Sequence, residues 1–277
     1  MKTISALSIV TPTRGDFSED WFDRLLSVRG DVEFILVYPP GMTQKTTIDP
    51  RVRVLVSPYR GEMMQRFIGF LNATGQYILA LDDDDFVHPD VLQLTLDYFE
   101  RFPDSWMMRL RMKKIDLKNT QQISADWSEV PKVSTLRVEK SSSDETRDEI
   151  LQEIPIAPLT KKFDVRYLFW PWIKRRDMEG AHLENFNNKV WRNDLVQQVL
   201  PDISQATQMI GAIVWIPRSA FDRLMGLFLQ AKFFHPDTNI GHWLPPPEQI
   251  RFIDKDPALK PPRFHVTSDF LLVNFFW

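Results

Sequence analysis

"YILALDDDDFVHPD", residues 77–90, runs from an apolar stretch with the look of a buried strand straight into four consecutive aspartates, Asp82 to Asp85. Adjacent carboxylates disfavour one another's charged form unless water, a cation or hydrogen-bond donors take up the charge. A buried strand end offers little water. Something positive is therefore expected beside this run. Position alone leaves a second reading open, in which the aspartates form a solvated acidic turn capping a helix near Pro89, with Asp85 or Asp90 favoured by the helix dipole.

Outward from this stretch, the first 115 residues alternate short β-rich runs with helical segments, the mark of βαβ units around a mostly parallel sheet. Strands are expected at ALSIVT (6–11), VEFILVY (32–38), VRVLVS (52–57) and YILALD (77–82). Between and after them, SEDWFDRLLSV opens with Ser18 as an N-cap and GEMMQRFIGFLNATG ends in a glycine suited to a C-cap. HPDVLQLTLDYFERF begins with Pro89 in its first turn. In an open α/β sheet, ligands gather at the carboxyl ends of the strands, where strand order reverses. The aspartates fall at such an end, where a divalent cation carrying diphosphate oxygens would neutralise them. Oxygen ligands in a chain without cysteine favour a hard ion, Mg²⁺ or Mn²⁺.

Beyond residue 115 the texture changes. The chain is polar from about 117 to 160, and EKSSSDETRDE (139–149) is expected to be a mobile surface segment. FDVRYLFWPWIKRR (163–176) is aromatic and basic; its LFWPWIKRR part suits peripheral contact with a membrane surface or a core segment with a charged end. HLENFNNKVWRNDLVQQVL (182–200) is expected as a helix, and MIGAIVWIPRSAFDRLMGLFL (209–229) as strand, turn at Pro217 and helix. Prolines at 236, 245–247, 257 and 261–262 predict an extended loop from His235 to Pro262.

A length of 277 residues, 43% hydrophobic, supports a sizeable core in one large domain: residues 1–115 and an elaborated half over 116–277. The net charge of −3 argues against nucleic acid as a partner. The absence of cysteine excludes disulfides, thiolate metal sites and thiol nucleophiles. The N-terminal apolar stretch is too short for a signal peptide and no transmembrane-length apolar run occurs, so a soluble, cytoplasmic chain is expected.

Taken in order, LSIVTPTRGD (7–16) and RVRVLVSPYRGEMMQRFIGFLNATGQYILALDDDDFVHPDVL (51–92) resemble the N-terminal half of a family 2 glycosyltransferase with the GT-A fold. The resemblance is carried by Pro12 and Thr13 ending the first strand, Arg66 with Gly69 in a helix, ATGQYI (73–78), and Asp82, Asp83 and Asp84 followed by Asp85 and HPD. It implies a mostly parallel central sheet flanked by helices, with a C-terminal acceptor-binding half. It further implies transfer of a sugar from a nucleoside diphosphate sugar to a carbohydrate or glycoconjugate acceptor. In that role Asp84 would hold the metal and Asp82 would share the ion or lie near the ribose. Asp83 would join the nucleotide-sugar site, Arg66 would face the nucleotide, and Thr11, Pro12 and Thr13 would line the base pocket. The chain departs from the family in VYPPG (37–41), where an acidic turn is usual, and in Phe67, where Asn is. Tyr38 stacking on the base is the expected substitute for that turn.

An inverting transferase also needs a general base for the acceptor hydroxyl. The family supplies it from a late acidic pair that opens a helix, which implies Asp269 in HVTSDFLLVNFFW (265–277), with Ser268 standing where Glu is commoner. GAIVWIPRSAF (211–221) resembles the strand and helix that precede this region. His265 is the candidate for the late histidine that completes some GT-A metal sites, whereas His88 reads as a loop residue. Two other readings stay open: a sugar nucleotidyltransferase, for which TPTRGD is poor in glycine and basic residues, and a non-catalytic binding protein on the same fold.

Overall fold

VEFILVY is buried at every position, as expected of a strand covered on both faces by helices. It is the second strand of a computed structural model that describes residues 5–140, 148–154, 185–208, 221–233, 235 and 240–253. The first elements are β1 (Leu7–Pro12), α1 (Glu19–Leu26), β2 (Val32–Tyr38), β3 (Val52–Val56), α2 (Glu62–Asn72), β4 (Tyr77–Ala80), β5 (Asp85–Val87) and α3 (Val91–Arg101). There follow β6 (Met107–Arg109), β7 (Met112–Ile115), β8 (Arg137–Lys140), β9 (Ile150–Glu153), β10 (Lys189–Arg192), α4 (Asn193–Gln208), α5 (Phe221–Phe233), β11 (Gly241–Trp243) and β12 (Ile250–Ile253).

The main sheet has the strand order β3-β2-β1-β4-β10-β6-β11-β9-β8 among the described residues. β1, β2, β3 and β4 run parallel, with Leu7 opposite both Val32 and Tyr77. The sheet divides the core. Val10, Ile35, Val37, Ile78 and Ala80 pack with α2, α4 and α5 on one face; Ile9, Phe34, Leu36 and Leu79 pack with α1 and α3 on the other. Ser18 caps α1 as expected, its side chain accepting from the Trp21 N–H at 3.1 Å. No helix among the described residues is long and apolar enough to cross a membrane.

Three expectations are corrected. Residues 182–200 do not form one helix: Lys189–Arg192 is β10, antiparallel to both β4 and β6, and α4 starts only at Asn193. The proline-rich run is not free of regular structure, because β11 pairs with β6 and β9 while β12 pairs with β5 and β7. The polar stretch after 117 carries β8 and β9, with Ile150 and Leu151 buried; Glu139 and Lys140 lie in β8, and residues 141–147 are outside the described residues. β10, β11 and β12 find partners distant in sequence and β8 pairs with β9 across the intervening stretch, so local composition carried no signal of them. α3 also begins at Val91, past Pro89, and α2 ends at Asn72, before Gly75.

Candidate active site

Strand order reverses between β1 and β4, since β1 leads outward to β2 and β3 while β4 lies on its other side. Ligands of open α/β sheets collect in the crevice at such a switch point. Asp82–Asp84 follow β4 there, and Thr13 follows β1.

The two strand ends are joined by side chains. The Thr13 hydroxyl donates to Asp83 Oδ2 at 2.7 Å and accepts from the Gly15 N–H at 2.9 Å. Gly15 has φ +85°, a left-handed conformation that glycine adopts without a Cβ clash. α2 arrives from the side. A Cβ at Gly69 would stand 2.3 Å from Val10 Cγ1, so only glycine lets this helix lie so close on β1. One turn earlier Arg66 is fully buried, at 0% exposure. Its Nε donates to Glu62 Oε1 at 2.9 Å and its Nη2 to Asp82 Oδ1, while Nη1 has no hydrogen-bond partner among the described residues. Asp82, by contrast, is 41% exposed and forms the open side of the pair.

Charge in this cluster is unevenly relieved. Burial works against the Arg66 guanidinium, but Asp82, Glu62 and Asp222 outweigh it and hold the group firmly protonated. Partial desolvation beside the buried Arg66 raises the Asp82 carboxyl above the ordinary Asp range; Arg66 opposes this, and the Glu62 and Asp84 charges add to it. Burial likewise raises Asp83 against the Thr13 hydrogen bond, helped by the Asp84, Asp16 and Asp82 charges. Asp84 is half-buried. A cation at this strand end would offset the mutual repulsion of the adjacent carboxylates. Among the described residues no group of three or more acidic, His or Cys side chains forms a cage by itself. An ion here would be held by one or two carboxylates, its shell completed by ligand oxygens and water.

Asp82–Asp85 do not cap a helix. Asp85 leaves the cluster, buried at the start of β5, with its carbonyl accepting from Trp21 Nε1 at 2.8 Å. Asp90 occupies the N-cap position of α3, makes no side-chain cap bond there and pairs with Arg29.

Tyr38 is a further correction. It is 0% exposed, its hydroxyl accepts from the Lys45 N–H at 3.2 Å, and a Cβ on Gly15 would come within 3.0 Å of its ring. A ring enclosed in this way has no open face for a base to stack on. Thr11 and Pro12 lie buried in β1. His88 is structural: Nδ1 accepts from the Asp90 N–H at 3.0 Å, which leaves Nε2–H to donate to the Ser128 carbonyl at 2.9 Å. Asp269, His265 and the aromatic segment 163–176 lie outside the described residues.

Sequence reasoning overlooked Glu62, Gln65 and Asp222. Glu62 stands four residues before Arg66, the i,i+4 spacing of a helical ion pair, and was legible on that ground. Gln65 and Asp222 carried no comparable signal.

Comparison with known proteins bears on this arrangement. The model of Glycosyl transferase family 2 matches residues 42–146, opening just past the Val37–Gly41 turn where the chain departs from that family. No curated protein matches the chain. The crystal structure of S. aureus TarS 1-349 in complex with UDP aligns at TM-score 0.53 and 15% identity, over 98% of this chain and 70% of that one. The complex of the same protein with UDP-GlcNAc gives TM-score 0.54 and 14% identity, over 98% and 71%. A crystal structure of S. aureus TarS gives 0.51 and 14%, over 98% and 42%. At these identities the structures speak for the fold, a large, mostly parallel sheet flanked by helices. Residues 42–146 thus match the Glycosyl transferase family 2 model, and the described residues carry a GT-A type fold, as those solved structures do.

Proposed function

We propose that the chain takes a sugar from a nucleoside diphosphate sugar in a metal-dependent reaction and passes it, with inversion, to a carbohydrate or carbohydrate-bearing acceptor. The observation that carries this reading is the acidic end of β4, where Asp82, Asp83 and Asp84 follow one another at a sheet switch point, Asp82 paired with Arg66 and Asp83 bonded by Thr13. Asp84 and Asp82 are the residues that would hold Mn²⁺ or Mg²⁺. When bound, such an ion acts as a Lewis acid toward the diphosphate, whose negative charge grows as it leaves. Arg66 keeps the Asp82 side chain in place from below, and Thr13 does the same for Asp83. The adjoining end of β1 is the place for the nucleoside. Because the related solved structures hold UDP and UDP-GlcNAc, uridine nucleotides are the first donors to test. Asp269 is the proposed base for the acceptor hydroxyl.

Hydrolysis of UDP-GlcNAc, UDP-glucose and GDP-mannose, each with and without Mn²⁺, tests the reading. Metal-dependent release of the nucleoside diphosphate from at least one donor is expected. Equal release with and without metal contradicts the metal dependence, and no turnover or binding of any donor contradicts the activity.

A further inference from the structure

Gln65 and Arg66 are consecutive on α2, and they reach two consecutive aspartates by different routes. Arg66 pairs with Asp82 directly. Gln65 is 6% exposed, and its Nε2 donates to the Thr13 carbonyl at 2.9 Å and to the Val37 carbonyl at 2.6 Å. The Val37 carbonyl also accepts from the Thr13 N–H at 3.0 Å. The N–H, carbonyl and hydroxyl of Thr13 are thus all engaged, by Val37, Gln65, Gly15 and Asp83. Buried carbonyls seek donors, so a helix that supplies one fixes the peptide it reaches.

We propose that Gln65 is a positioning residue of the donor site: by holding the Thr13 peptide it aims the Thr13 hydroxyl at Asp83. One helix then places two of the acidic residues, Asp82 through Arg66 and Asp83 through Gln65 and Thr13. Asp84 stands beyond both contacts, next to the aspartates they hold. The inference rests on the nucleotide-sugar reading of this strand end.

A double-mutant cycle tests it. Gln65→Leu removes the amide at similar size, and Thr13→Val removes the hydroxyl; UDP binding in Mn²⁺ is measured by calorimetry for each single variant and for the pair. Each single substitution is expected to weaken binding about 10-fold, the scale of losing a supporting contact behind a ligand-binding side chain. The double variant is expected to be no weaker than the weaker single, because both act along one path. Additive losses, or parental affinity in Gln65→Leu, overturn the inference. Should Gln65→Leu fail to fold, Gln65→Glu keeps the size but turns an acceptor toward two carbonyls. Its deficit relative to the parent is expected to shrink as pH falls from about 8 to about 5, because a protonated carboxyl regains one donor. A deficit that does not change with pH overturns the inference. A parental protein that binds neither UDP nor UDP-GlcNAc overturns the nucleotide-sugar reading and this inference together. UDP binding combined with additive losses overturns the inference alone.

Discussion

The two sides of the main sheet are built differently. On one side β3, β2, β1 and β4 come from the first 80 residues, with α1 between β1 and β2 and α2 between β3 and β4; every strand pairs with a sequence neighbour or with β1, and the four run parallel. On the other, β10 enters at Lys189 to lie against β4, which ended at Ala80, and it is antiparallel to β4 and β6 alike. β6 and β11 are three residues long there, and β8, β9 and β10 are four. The first side is a frame whose loops form the acidic site. The second closes the frame, and a separate three-stranded sheet of order β5-β12-β7 anchors it: β12 pairs with β5, so Phe252 stands opposite Asp85 just after the acidic turn. The acidic end is thus assembled from local elements and secured by distant ones.

The largest stability effect is expected at the seam between the two sides. Trp191 on β10 is fully buried, stacks on Phe186 with centroids 5.4 Å apart, and donates from Nε1 to the Phe186 carbonyl at 3.0 Å. Trp191→Ala should cost about 4 kcal/mol in urea unfolding. A loss under about 1 kcal/mol would mean that β10 is not integral to the sheet.

Next comes the amino end of the local side. Glu33 is buried and accepts from Ser8 Oγ at 2.6 Å, the Thr74 N–H at 2.6 Å, Thr74 Oγ1 at 2.8 Å and Arg53 Nη1 at 2.8 Å, tying the turn before β4 to β1, β2 and β3. Glu33→Ala should cost about 3 kcal/mol, since it strands several buried donors. Burial alone would raise this carboxyl, but its donors hold it below the ordinary value of 4.5. Its stabilisation is therefore complete above that value and lost as pH falls below it.

A smaller effect distinguishes the other side by pH. His242 on β11 is buried, with Nδ1 2.8 Å from the Tyr98 hydroxyl; burial, together with the Arg101 charge, lowers its pKa from 6.5 to about 4. The unfolded chain binds the proton more readily than the folded one, so stability declines as pH falls from 6.5 toward 4. Between about pH 7 and pH 5 the loss should be about 2 kcal/mol, and His242→Gln should flatten that slope. An unchanged slope would remove His242 as its cause.

The same contrast explains what could be read from the sequence. VEFILVY and YILAL gave strands because fully buried parallel strands are continuous apolar runs, and Ser18 gave a helix start because its side chain caps locally. Asp82, Asp83, Thr13 and Arg66 were legible as a set through their order and spacing, and the structure brings them together. KVWR reads equally well as helix or strand, and pairing with β4 and β6 decides it. Tyr38 looked like an open aromatic at a strand end, yet the Gly15 and Lys45 backbones enclose it. Gln65 could not be singled out, since its role depends on two carbonyls that only folding brings within reach.

The central claim is that the acidic end of β4 is a metal and diphosphate site rather than a structural turn. Calorimetry of UDP binding with and without Mn²⁺, in the parent and in Asp84→Asn, tests it most directly. The account predicts Mn²⁺-dependent binding in the parent, and a loss of about 100-fold or more in Asp84→Asn with the melting temperature nearly unchanged. Binding that is unaffected by the substitution, or equally tight without metal, would contradict it.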